Sequence, residues 1–189
     1  ATNQERLEKL KSEVIKQFPN IKIWAKECKL NDNHSREEFY EFIKSNNLKP
    51  NMLINNAGYI LEGSIMGCDH SEIQSCIDVN ITGTTELTYW FIKNRNEEAK
   101  NYILTVSSMA GYYPMPQMAT YAGTKAYLTH WMVALRREVK GKNISVATIC
   151  PGSMATNDAM KRSIKSQGLG GKFSLQTTER VARVSLKKV

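Results

Sequence analysis

The stretch from Ile103 to Lys125, ILTVSSMAGYYPMPQMATYAGTK, constrains this chain more than any other. An apolar run (Ile103, Leu104, Val106) ends in the pair Ser107-Ser108. A loop with two prolines and one glycine follows, and a helix-like segment then carries Tyr121 and, four residues on, Lys125. A four-residue spacing puts a phenol and an ammonium on one face of a helix. A buried strand delivering a hydroxyl at its carboxyl end, opposite that face, is the outline of a proton-transfer site in a parallel α/β fold.

The pair alone is a weak signal. Tyr-x-x-x-Lys occurs three times: Tyr40 with Lys44, Tyr89 with Lys93, and Tyr121 with Lys125. The first two read most simply as solvated neighbours on helix faces. Only Tyr121 has a serine thirteen residues before it at the end of a strand. Serine, strand and pair together carry the weight.

The rest of the chain supplies the alternation such a site needs. Residues 4–17 place Leu7, Leu10, Val14 and Ile15 at helical spacing, which predicts an amphipathic helix. Residues 21–28 (IKIWAKEC) predict a strand, and Asn31-Asp32-Asn33 a turn. Ser35-Arg-Glu-Glu resembles a capping box, predicting a second helix to about Ser45. Met52-Leu53-Ile54 predicts a short buried strand running into Asn55-Asn56-Ala57-Gly58. A long helix is expected from about Ser71 to Lys93, another from Thr120 to about Lys140, a strand over 144–149, and a last helix from Thr177 to Lys188. Helix and strand joined by short connections predict an α/β fold with a parallel sheet.

Three further pieces stand where a site would use them. Asn55-Asn56-Ala57-Gly58 puts small residues at the carboxyl end of a strand, where a ligand can approach the backbone. Asn80, in DVNITG, sits inside a helix with a glycine three residues on, so a local irregularity is expected there. Cys150-Pro151-Gly152-Ser153-Met154-Ala155-Thr156 follows the strand at 144–149. The sequence 161–175 has three glycines and little periodicity, and reads as a mobile loop.

Four cysteines, none in a C-x-x-C pair, argue against a disulfide framework or a zinc site, and no metal is expected. The opening ATNQERLEKLK reads as a charged helix rather than a signal peptide, so a cytoplasmic protein is expected. No apolar run approaches the length of a membrane span. Residues 136–189 carry twelve Lys or Arg against three Asp or Glu. This basic third is a solvated flank or a surface for an anionic partner. No nucleic-acid motif is present, and nucleic acid is not expected as a partner.

Taken together, these pieces resemble the short-chain dehydrogenase/reductase family of the classical type, over about Ala1 to Ala182. The resemblance implies a single domain, 1–189, with a Rossmann-type doubly wound parallel sheet in a three-layer α-β-α arrangement. It implies a hydride transfer between NADP, or alternatively NAD, and a carbonyl or alcohol substrate. Tyr121 would be the acid/base. Lys125 would lower its pKa and hold the nicotinamide ribose. Ser108 would hydrogen-bond the substrate oxygen, and Asn80 would anchor a water relay. Asn56, Ala57 and Gly58 would lie along the adenosine half, with Pro151, Gly152 and Thr156 at the nicotinamide. The residues at 161–175 would be the substrate lid. A homodimer or homotetramer through the Asn80 and Tyr121 helices is implied as well.

The departures matter equally. The family's TGxxxGIG turn, which cradles a pyrophosphate at a helix N-terminus, is not found, since the first glycine is Gly58. The fold is therefore expected to be incomplete at its N-terminus, by about 30–45 residues, and at its C-terminus. No acid stands at Ala1-Thr2 to mark NAD, and Lys29 occupies the place of the family's aspartate beside the adenine. A catalytically inactive relative, kept as a binding or oligomerisation module, is the competing expectation.

Overall fold

The structure is a computed structural model that describes residues 2–155, 175–187 and 189. Its elements in chain order are α1 (Gln4–Gln17), α2 (Asn33–Ser45), β1 (Met52–Asn55), α3 (His70–Ile77), a π-helical segment (Asp78–Gly83), and α4 (Thr84–Asn94). Then come β2 (Asn101–Val106), a 3-10 turn (Met109–Gly111), α5 (Ala119–Glu138), β3 (Ile144–Ile149) and α6 (Thr178–Leu186). The three strands form one parallel sheet in the order β1-β2-β3. The α/β class expected from the alternation is the one observed.

Register explains where the core sits. Leu53, Ile103 and Val146 stand side by side on one face. That face packs against Phe91 of α4 and against Met132 and Leu135 of α5. Each such side chain contributes about 1.5–3 kcal/mol by leaving water. On the other face the row is Ile54, Leu104 and Ala147. Leu104 is buried, while Ile54 at the sheet edge is 48% exposed. The expectation that Met52-Leu53-Ile54 is fully buried is therefore corrected. Among the described residues β1 is an edge of the sheet, and Met52 and Ile54 lie on its face away from α4 and α5, so of the three only Leu53, facing those helices, is sheltered.

Two other expectations change. No strand forms over residues 21–28. The Gln4 side chain takes up polar groups there instead: Glu27 N–H donates to Gln4 Oε1 at 2.8 Å, and Gln4 Nε2 donates to Ala25 O at 3.4 Å. An amide side chain thus satisfies backbone that a ladder would otherwise pair. The cap of α2 is Asp32, which accepts from Ser35 N–H, and not Ser35. The Ser35 hydroxyl accepts from Lys29 N–H at 2.9 Å, holding the preceding loop. Helix α1 forms as expected, but among its described residues none is buried, and Leu10 is 55% exposed.

The Tyr40–Lys44 pair is also not a solvated couple. Tyr40 stacks on Trp90 of α4 at 4.9 Å between ring centroids, and Lys44 pairs with Glu41. Arg36, almost fully buried, holds Glu86 of α4 at 2.7 Å and donates to Leu30 O at 2.6 Å. Together these contacts dock α2 on α4. The last helix is capped by Thr177, which accepts from Arg180 N–H.

Candidate active site

The site lies where the strands end. Past β2 the chain passes Ser107 and Ser108 and tightens into the 3-10 turn, whose first residue donates from Met109 N–H to Pro151 O at 3.0 Å. Gly111 lets this turn press against α5. A Cβ at Gly111 would come within 2.8 Å of Lys125 C and O. Ser107 is buried, and its hydroxyl lies 2.9 Å from Lys125 O and 2.8 Å from Thr129 Oγ1. The strand end and α5 are thus locked together, one turn from the phenol and ammonium.

A cavity of about 570 Å³ opens here, lined in part by Asn56, Gly58, Ser108, Tyr121, Lys125, Pro151 and Gly152. Of the expected site residues, seven therefore meet in one place. Ala57 is exposed and does not line it. Asn80 is fully buried behind Gly58. Thr156 and the proposed lid residues lie outside the described residues, apart from Leu175 at the lid's end.

Asn80 shows why its helix is irregular. The helix passes through one π-helical segment, Asp78–Gly83, at the expected place. Asn80 Oδ1 accepts from Tyr59 N–H at 2.8 Å, and Nδ2 donates to Tyr59 O at 2.9 Å and to Thr124 Oγ1 at 3.0 Å. Thr124 in turn donates to Tyr121 O at 2.7 Å. One buried amide therefore ties the loop after β1 to the turn of α5 that carries Tyr121. Gly83 fits against Leu30, where a Cβ would come within 2.7 Å of Leu30 O. Asn55 does similar work at the sheet end, donating to Thr88 Oγ1 at 2.9 Å and Thr105 Oγ1 at 3.1 Å.

The electrostatics are those of buried groups. Lys125 is 4% exposed, and burial pushes its pKa down to about 8. Its Nζ donates to Val106 O at 3.1 Å and lies 5.8 Å from the centre of the Tyr121 ring. Burial also pushes the Tyr121 phenol above its ordinary value, with the Ser108 hydroxyl pulling the other way. For the phenolate, loss of hydration is the larger effect. Lys125 carries three N–H donors, and among the described residues Val106 O is its one hydrogen-bond partner. Gly58 leaves the space between Nζ and Asn80 Oδ1 open, each 3.4 Å from where a Cβ would stand. A buried cation with donors to offer, beside small residues at strand ends, fits a ribose hydroxyl of a dinucleotide.

Sequence reasoning missed part of the lining: Ile60, Met109, Tyr113, Met115, Met118 and Met154. These residues sit in loops, where no periodicity marks which side chains turn inward. Among the described residues no group of three metal-ligating side chains forms, and no helix is long and apolar enough to cross a membrane.

Comparison with known proteins agrees with this geometry. Residues 1–167 match the family described as short chain dehydrogenase. A very-long-chain 3-oxoacyl-CoA reductase of Neurospora crassa is 32% identical over 147 residues, which is 76% of this chain and 44% of the relative. Human 17-beta-hydroxysteroid dehydrogenase type 3 is 29% identical over 127 residues, 65% of this chain and 41% of the relative. The chain thus spans less than half the length of these relatives. The fold is similar to that of L-sorbose reductase from Gluconobacter frateurii complexed with NADPH and L-sorbose, with a TM-score of 0.77 at 21% identity, covering 90% of this chain and 65% of that one. It is also similar to 4-hydroxyisoleucine dehydrogenase complexed with NADH and succinate, with a TM-score of 0.70 at 22% identity, covering 81% and 66%.

Proposed function

The chain belongs to the short-chain dehydrogenase family, and from that premise we propose that it is a nicotinamide-dependent oxidoreductase acting on a carbonyl or alcohol, with Tyr121 as acid/base. The observation that carries this reading is the convergence of Ser108, Tyr121 and Lys125 on one cavity, with the Lys125 ammonium buried and short of partners. A bound nicotinamide dinucleotide supplies or accepts the hydride. The protein's own groups handle the proton and the charge.

In the direction of reduction, the Tyr121 phenol gives its proton to the substrate oxygen. A phenol held above its ordinary pKa is fully protonated at neutral pH, the state a general acid needs. The Ser108 hydroxyl donates to the same oxygen as charge develops on it. Lys125 offers its remaining N–H groups to a ribose and, when charged, favours the phenolate left after transfer. Asn80 holds Tyr59 and Thr124, and through them the turn bearing Tyr121, so it acts here as a positioning residue. Asn56 and Gly58 would hold the adenosine half, with Ala57 between them outside the cavity, and Pro151, Gly152 and Thr156 would hold the nicotinamide. NADP is taken first because no acid stands at Ala1-Thr2, and titration with NADPH against NADH separates it from NAD. The outward sides of α4 and α5, with Tyr89, Tyr127 and Val133 exposed, suit a homodimer or homotetramer.

Tyr121→Phe tests the reading in the full-length protein. Turnover is expected to fall by about 10³-fold, within the range for a lost general acid. Dinucleotide binding, followed by the cofactor's fluorescence, is expected to change little. Retained turnover in this variant removes Tyr121 from the role.

A further inference from the structure

Resting on the reading above, we propose that the substrate carries a flexible unbranched alkyl chain beside its carbonyl, selected by a wall of methionines between Ser108 and Tyr121. The chain has eight methionines, and four of them, Met109, Met115, Met118 and Met154, line the one cavity that holds the phenol and the ammonium. Three of these come from the single segment linking the two candidate catalytic residues. Tyr113 of that segment and Ile60 of the loop after β1 extend the same lining.

The lining is divided by chemistry according to origin. Its hydrogen-bonding groups come mainly from the strand ends, Asn56, Ser107, Ser108 and Ser153, and from Tyr121 and Lys125 of α5, with Glu62 and the Tyr113 hydroxyl added by the loops. Most of the apolar lining comes from the loops. A carbonyl placed for Ser108 and Tyr121 therefore has its substituents running along thioethers. Methionine is unbranched and polarisable, and it adapts to a chain with many conformers. Its sulfur is only a weak acceptor, so a polyhydroxylated substrate would lose water along this wall without replacement. The cavity's size falls within the range of about 300–1,000 Å³ for small-molecule sites.

The wall is built, not draped. Met115 and Met118 pack against the buried cluster of Leu61, Cys76 and Tyr121 itself. Met118 N–H donates to Met115 O at 3.1 Å, and Met118 O accepts from Ala122 N–H of α5 at 2.8 Å. Gly63 N–H donates to Gln117 O at 2.7 Å, tying the Ile60 loop to the methionine segment. Met109 and Tyr113 are more exposed, at 42% and 62%, and mark the mouth.

The test uses a series of 2-alkanones from four to ten carbons with the full-length protein and NADPH or NADH. We expect kcat/KM to rise about threefold per added methylene over the first several, under the roughly fourfold ceiling for burying one CH2. A six-carbon ketose is expected to be at least about a hundredfold poorer than 2-hexanone, since its hydroxyls would go unpaired. Met115→Gln and Met118→Gln are each expected to cut the ratio of long-chain to short-chain kcat/KM by about tenfold. A readout independent of turnover is displacement of N-phenyl-1-naphthylamine by the same ketones, expected to follow the same order of chain length. A flat series with no graded displacement, or a preference for the ketose, overturns the inference while leaving hydride transfer intact. Graded displacement, weakened in both variants, but without turnover of any ketone upholds the alkyl site and overturns the oxidoreductase reading beneath it.

Discussion

At the scale of single residues, the site is governed by what burial does to charge. Lys125 is held near pH 8, below the 10.5 it has when solvated. Between those values the unfolded chain binds the extra proton, so stability rises with pH across that window and the full cost is present below it. That cost is on the order of 3 kcal/mol, at about 1.4 kcal/mol per pH unit. Lys125→Met removes it, and also removes the bond to Val106 O, worth about 1 kcal/mol. We therefore expect the variant to be more stable than the parent by about 2 kcal/mol at pH 7, with the gain vanishing toward pH 10.5. Urea unfolding of both proteins at pH 7 and pH 10 reads this directly. A gap that does not narrow with pH contradicts the burial account. Stability given up at a site for function is the ordinary pattern. That Ser108, Tyr121 and Lys125 line one cavity was legible in the sequence because their spacing is local. The shifted Lys125 was not, because its surroundings come from the end of β2 and the loop after β1.

At the scale of elements, two glycines, one packed against α5 and one within it, give opposite predictions. A Cβ at Gly111 would meet the backbone of Lys125 and Ala126 at 2.8–3.0 Å. Backbone cannot yield without α5 moving away from Ser108. Gly111→Ala is expected to destabilise the fold by about 1–3 kcal/mol and to lower kcat more than tenfold. At Gly123, inside α5, an added Cβ meets nothing within 4 Å. Gly123→Ala is expected to stabilise the fold by about 1 kcal/mol through helix propensity. Thermal melts of the two variants check both signs, and equal shifts would show that helix propensity alone is at work. The long helix around Asn80 was legible, including its irregularity, because asparagine and glycine inside an apolar-periodic run are local signals. The strand expected over 21–28 was not realised, because alternation specifies an extended segment and a ladder needs a partner. Here the side chain of Gln4, more than twenty residues away, meets part of that need.

At the scale of the whole molecule, α2 is attached through the Tyr40–Trp90 stack and one buried charge. Arg36 is nearly inaccessible, whereas its partner Glu86 is 45% exposed. Glu86→Leu leaves the guanidinium inside with, among the described residues, Leu30 O and Asn33 Oδ1 as its remaining acceptors. A loss of about 3 kcal/mol is expected, the lower end for an uncompensated buried charge. Chemical denaturation measures it, and a loss under about 1 kcal/mol would mean that water reaches Arg36. The same docking presses Leu30 against Gly83, next to the Asn80 segment. Amide hydrogen exchange at residues 78–83 is therefore expected to quicken in this variant.

By itself the sequence determined the order of most helices and strands and which side chains, Ser108, Tyr121 and Lys125, meet at the strand ends. Both follow from periodicity and from spacings of a few residues, which the backbone imposes wherever the chain goes. Tertiary structure alone decided how deeply Lys125 is buried, which face of β1 is open, and that methionines from separate loops line one wall. It also decided that Asn80 reaches Thr124, 44 residues away, and Arg36 reaches Glu86, 50 residues away. The physical reason is that burial, pKa and cavity lining are sums over neighbours. For these groups the neighbours are remote in sequence and become adjacent only when the sheet and α5 have packed.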